Sequence, residues 1–162
     1  MPDISKWNTD KIKDVSLLFF NCETLESLPD ISLWNTINFS SIRNLFYGCK
    51  NLISLPDISK WKTDNMISIS ELFCGCNSLE VLPDISKWNT KNVKYMEFIF
   101  SGCNSLKKLP DISRWNTDNV ISFYGLFYRC ESIVELPDVS KFTISKIHER
   151  PIEINYMFCD CK

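Results

Sequence analysis

The chain has 162 residues and a formal charge of −2, from 18 Lys/Arg and 20 Asp/Glu. That balance, with no run of basic residues, excludes a nucleic-acid footprint. No apolar stretch approaches the roughly 20 residues of a membrane-spanning helix, and the first residues, MPDISKWNTDKIKD, contain no apolar leader segment.

The segment PDIS recurs at 2–5, 29–32, 56–59, 83–86 and 110–113, and PDVS follows at 137–140. Each step is 27 residues (29 − 2, 56 − 29 and so on). A fixed period of this size marks a repeat architecture in which each unit packs only on its neighbours. The reading is one domain over 1–162, with units 2–28, 29–55, 56–82, 83–109, 110–136 and a degenerate last unit, 137–162. Positions are numbered 1–27 from each Pro.

Within a unit, Pro at position 1 ends a strand, because it cannot donate to a ladder. Asp at position 2 then bonds nearby backbone N–H groups as turn Asx residues do. Position 3 is Ile or Val, and position 6 is Trp7, Trp34, Trp61, Trp88, Trp115 and finally Phe142. Apolar residues at positions 11, 14, 17, 18 and 21 fall on one helical face. They predict a short helix over positions 10–20. The Thr at position 8 or the Asn at position 10 would cap its start, and Gly48, Gly75 and Gly102 would close it. The chain has no Ala, so such a helix must be held by packing. Leu-x-x-Leu at positions 24–27 predicts a short parallel strand. The expected fold class is therefore an α/β repeat solenoid, leucine-rich-repeat-like, of six coils with one short strand and one short helix each. Like residues would stack in inner columns.

The pattern NVxxMxxLFxGCxSLxxLPDISxWNT is carried most clearly by Asn92-Val93, Met96, Phe100, Gly102-Cys103, Ser105-Leu106 and Leu109 through Thr117. It resembles the Mycoplasma-type DUF285 repeat, related to the leucine-rich repeats of BspA-like surface proteins. The resemblance covers essentially the whole chain. It implies a leucine-rich-repeat-like solenoid found in surface or interaction proteins, without catalytic residues or a defined ligand.

The last unit departs from the pattern. It has Phe142 for Trp, Ile144 for Thr and the stretch KIHERPIEIN, and FCDC at 158–161 aligns with FCGC at 73–76 only across a four-residue insertion. Neither end carries an obvious polar cap. Either the array continues in a longer protein, or a partner or second copy covers the coil ends.

Chemistry is sparse. Five of the eight cysteines share position 21, and Cys161 joins them across the insertion; a packed thiol column fits better than a zinc cage of four convergent ligands. Cys74 and Cys159 are expected to face outward. The lone histidine, His148, lies beside Glu149 and Arg150 and reads as a solvated loop rather than a catalytic base. No glycine-rich phosphate cradle occurs, so no cofactor is expected. The row Asp30, Asp57, Asp84 and Asp111 could bind cations or a basic peptide, although turn capping is the simpler role. The Trp column reads as core, and Asn38-Phe39-Ser40 is an isolated glycosylation sequon.

Positions 25 and 26 differ in every unit while the framework stays fixed. They are Glu26-Ser27, Ile53-Ser54, Glu80-Val81, Lys107-Lys108 and Val134-Glu135. Such positions line an extended recognition face in repeat proteins. Tyr47, Tyr124 and Tyr128 suggest a second variable face. The expected function is a non-enzymatic scaffold that binds a protein partner through positions 25–26. The alternative is a structural or adhesive segment that self-associates end to end. Free thiols without a leader favour the cytoplasm, or a cell surface if the chain is a fragment.

Overall fold

The structure is a computed structural model that describes residues 3–143 and 156–161. Its 27-residue coils lie one on the next. Ring centroids in the Trp column are 6.0 Å apart for Trp7–Trp34, 6.3 Å for Trp34–Trp61 and 6.4 Å for Trp61–Trp88. A Phe column at position 18 runs Phe19, Phe46, Phe73, Phe100, Phe127 and Phe158, with neighbouring rings 5.2–6.0 Å apart. Ile31, Leu45, Leu72, Leu79 and Ile99 are fully buried in the same core.

The secondary structure expected from sequence does not form. Among the described residues there is no helix, and no strand occupies positions 24–27. Strand-like pairing is confined to single parallel bridges at position 13, linking Asp14, Ser41, Ser68, Tyr95 and Ser122. The α/β, leucine-rich-repeat-like class is therefore wrong for this chain.

The physical reason lies in where the N–H groups point. Over positions 14–21 the backbone alternates its partners. The N–H of Val15, Leu17, Phe19 and Asn21 donates to the carbonyls of Ser41, Arg43, Leu45 and Tyr47 in the next coil, at 2.7–3.3 Å. The intervening Leu18, Phe20 and Cys22 donate three residues back within their own coil. The four-residue turns closed by Leu18 and Cys22 have a left-handed third residue, as type II turns do. Positions 16 and 20 supply it in every coil. Position 16 is Leu17, Asn44, Glu71, Phe98, Gly125 and Tyr156, with φ of 53–64°. Position 20 is Asn21, Gly48, Gly75, Gly102, Arg129 and Asp160, with φ of 54–73°. An α-helix cannot pass through two left-handed residues four apart. The apolar spacing of three and four was real, but a chain of overlapping four-residue turns buries the same positions.

The residues expected to cap a helix instead tie coils together. Asn38, Asn65, Asn92 and Asn119 at position 10 donate from Nδ2 to the position-9 carbonyl of the preceding coil, at 2.7–2.8 Å. The Thr hydroxyls at position 8 donate to the position-7 carbonyl of the following coil in Thr9, Thr36, Thr90 and Thr117, at 2.9–3.1 Å. Thr63 breaks this row. Its buried hydroxyl has no partner. Removing a paired buried hydroxyl strands its partners, whereas removing an unpaired one removes only a desolvation cost. Thr36→Val is therefore expected to cost about 1–3 kcal/mol. Thr63→Val should be neutral or stabilising, as read from urea midpoints of the two variants.

The four-residue insertion appears as a change of register. Cys49, Cys76, Cys103 and Cys130 donate to a carbonyl 30 residues earlier, whereas Cys161 donates to Phe127, 34 residues earlier. Ile144, His148, Glu149 and Arg150 lie outside the described residues.

Candidate interaction face

The ten variable side chains of positions 25–26 all lie exposed in one row. Backbone rungs hold that row: Ile53 N–H to Glu26 O at 3.2 Å, Glu80 N–H to Ile53 O at 3.1 Å, and Val134 N–H to Lys107 O at 3.1 Å. The flanking Leu at positions 24 and 27 turn inward or sit half-buried in most coils, which sends positions 25 and 26 to solvent. Ile53, Val81 and Val134 are 49%, 60% and 87% exposed. These are large apolar exposures without cover.

Beside the row runs a groove of about 560 Å³ lined by Glu80, Val81, Leu82, Asp84, Lys107, Lys108, Leu109, Pro110 and Asp111. It continues as a smaller hollow of about 220 Å³ that adds Glu135, Leu136, Pro137 and Asp138. The structure thus brings the variable row and the Asp row to one surface, with the Leu-Pro steps between them.

The carboxylates of the Asp row cap turns. Oδ1 of Asp30, Asp57, Asp84 and Asp111 accepts the N–H of the Ser two residues on, at 2.9 Å in each case. The Ser side-chain hydrogen bond, seconded by that backbone bond, holds each carboxyl below its ordinary value. Among the described residues no group of three His, Cys, Asp or Glu could hold a metal ion.

The thiols are core groups. Cys49, Cys76, Cys103 and Cys130 are buried, and each Sγ–H donates at 3.0–3.2 Å to the Phe carbonyl of the preceding coil. Burial pushes the Cys49 and Cys130 thiols up to about 12, and Cys76 and Cys103 well above the ordinary value. Cys74 does not face outward as expected; it is half-buried, and burial raises it to about 11. Cys159 is half-buried too. A protonated thiol is a poor nucleophile. The Trp column is equally internal: Trp34, Trp61, Trp88 and Trp115 are buried and donate from Nε1 to the position-3 carbonyl of the preceding coil.

The family described as "Mycoplasma protein of unknown function, DUF285" matches residues 1–80 and 51–162, which together span the chain. The chain belongs to the DUF285 family. No curated protein and no solved structure matches it. Among the described residues of this DUF285 chain, no helix is long and apolar enough to cross a membrane.

The second variable face is partly used up by internal packing. Tyr47 stacks on Phe20 at 4.9 Å, and Tyr124 packs edge-on against Phe98 at 5.1 Å. Tyr128 lies edge-on to Tyr156 at 6.4 Å and under the Arg129 guanidinium. Sequence reasoning missed a polar chain on this side. Ser70 donates to Glu97 at 2.6 Å, Arg43 pairs with Glu71 at 3.3 Å, and both line a hollow of about 470 Å³. The missed signal was that Ser40, Ser41, Ser68 and Ser70 fall at positions 12, 13 and 15, beside the single bridges.

Proposed function

We propose that this DUF285 chain is a non-enzymatic repeat scaffold that binds a protein partner through the row at positions 25–26. The observation that carries the reading is the contrast between framework and row. Columns, rungs and Asx turns repeat from coil to coil, while five differing pairs of side chains stand exposed along one line. A surface of that kind suits a flat protein interface better than an enclosed small-molecule site. The buried thiols of the Cys column carry raised values and the Asp-row carboxylates cap turns, so these two sets of groups read as framework, which supports a binding role for the row.

The test is affinity capture with the wild-type chain beside a Val81→Arg/Val134→Arg variant. Both side chains are exposed, so the unfolding free energy should stay within about 0.5 kcal/mol of wild type. A specific set of proteins should be retained by wild type and lost from the variant. Equal retention by both chains would remove the row from the binding face.

A further inference from the structure

The joins between coils all run the same way. The N–H groups at positions 18 and 20 donate to the carbonyls at 17 and 19 of the following coil, from Phe19 to Leu45 and Asn21 to Tyr47 through to Phe127 to Met157 and Arg129 to Cys159. The Cys thiol and the Trp indole donate in the opposite sense, as Cys49 does to Phe19 O and Trp34 to Ile4 O. A stack joined like this has two unlike ends. Among the described residues, the Leu18 and Phe20 carbonyls of the first coil accept nothing, and its Trp7 indole and Cys22 thiol donate to nothing. In the last coil the N–H groups of Phe158 and Asp160 donate to nothing. Its Phe158 and Val139 carbonyls each accept one bond from their own coil and none from a thiol or indole. The apolar columns are open at the same places. Trp7 is 46% exposed and Leu18 38%, where Trp34, Trp61, Leu45 and Leu72 are buried. Phe142, Phe158 and Cys161 are half-buried at positions that are buried in the inner coils.

We propose that the first coil of one copy seats on the last coil of another, so that chains join head to tail. The register is that of the internal joins. Phe158 N–H donates to Leu18 O and Asp160 N–H to Phe20 O of the next copy. In return, Cys22 Sγ–H donates to Phe158 O and Trp7 Nε1–H to Val139 O. Each group left over at one end thereby meets its complement at the other, while Phe19 covers Phe158 and Trp7 covers Phe142. Position 20 does not obstruct the contact. Arg129 and Asp160 already adjoin there across an internal join, and the Asp160 carboxylate turns back to Arg129 at 3.5 Å. A first coil cannot seat on another first coil in this way, because two rows of carbonyls bring no donor between them. The contact is therefore heterologous, and repeated it gives open rods rather than closed dimers. It lies apart from positions 25–26 and does not depend on the row being a binding face.

Sedimentation equilibrium of the full chain, 18.9 kDa, tests the join. The mean mass of wild type should rise with concentration. Phe20→Arg blocks the first coil and Cys159→Arg the last, so each variant alone should stay at the mass of one chain with its thermal midpoint unchanged. Their equimolar mixture should reach the mass of two chains and stop, because one intact end of each kind remains. Amide exchange on wild type gives a second reading that needs no variant. The N–H groups of Phe158 and Asp160 should exchange about tenfold more slowly as concentration rises, while that of Gly102, already bonded to Tyr128 O at 2.8 Å, should not change. Should either substitution disturb folding, this exchange result decides. The proposal is overturned if wild type stays monomeric throughout the micromolar range, or if two folded variants fail to pair when mixed. Cys159→Arg that still associates would show first coils meeting each other and likewise end it. So would Phe158 and Asp160 amides that exchange at one rate at all concentrations.

Discussion

Trp88→Ala is expected to cost about 3–5 kcal/mol. The indole is 4% exposed and lies 6.4 Å from Trp61 with nearly parallel rings. Its Nε1–H donates to Ile58 O at 3.2 Å. That carbonyl also accepts the N–H of Trp61, at 3.2 Å, so removing the indole does not orphan it. The loss should therefore come chiefly from the cavity and the missing ring contacts, and Trp88→Phe should recover more than half of it. Because a coil touches only its neighbours, both flanking interfaces weaken together. Urea unfolding followed by fluorescence of the remaining indoles measures the loss. Hydrogen exchange should show faster opening at Ile69 and Phe98, whose N–H groups bridge the interfaces on either side. A loss below about 1.5 kcal/mol would mean that the Trp column does not hold the stack together.

Much of this interior was legible because stacking demands that each coil offer the same shape. Ile at position 3, Trp at 6, Phe at 18 and Cys at 21 could each be placed inside from recurrence alone. The backbone was less legible, for a reason that can be traced to particular residues. Leu17, Glu71 and Phe98 adopt positive φ, which ordinary side chains avoid. Nothing in their identity announces it. The cost is accepted because the turn then sends every second N–H to a carbonyl in the next coil. Three signals against a helix were present: the missing Ala, the glycines at position 20, and Gly125 at position 16 of a coil whose neighbour has Phe98 there. The Leu-x-x-Leu spacing likewise never had the two-residue period of a strand. In the candidate site, variation between units pointed to positions 25–26. The half-buried state of Cys74 depends on how the turns set its side chain, and no spacing in the sequence reports that.

Gly125→Ala is expected to cost about 2–4 kcal/mol, from two separable causes. The first is the backbone. Gly125 has φ +60°, and a β-carbon there costs about 1–2 kcal/mol. That cost alone is tolerable, since Leu17, Asn44, Glu71, Phe98 and Tyr156 carry it at the same position in other coils. The second cause is specific to this coil. A β-carbon on Gly125 would overlap the Phe98 ring, with Cδ1 only 2.5 Å away. The ring is itself braced edge-on against Tyr124, 5.1 Å between centroids, so it cannot move without disturbing a second contact. Gly102 provides the control. Its φ is +70°, but the nearest atom to an added β-carbon is 3.4 Å away. Gly102→Ala should thus show the backbone cost with little more. In a Phe98→Ala background, Gly125→Ala should fall to the Gly102→Ala value, a coupling measurable by a double-mutant cycle in urea. Equal losses for Gly102→Ala and Gly125→Ala in the wild-type background would show that glycine is kept at 125 for its backbone alone. The packing of Phe98 over Gly125 would then contribute nothing to the join between the fourth and fifth coils.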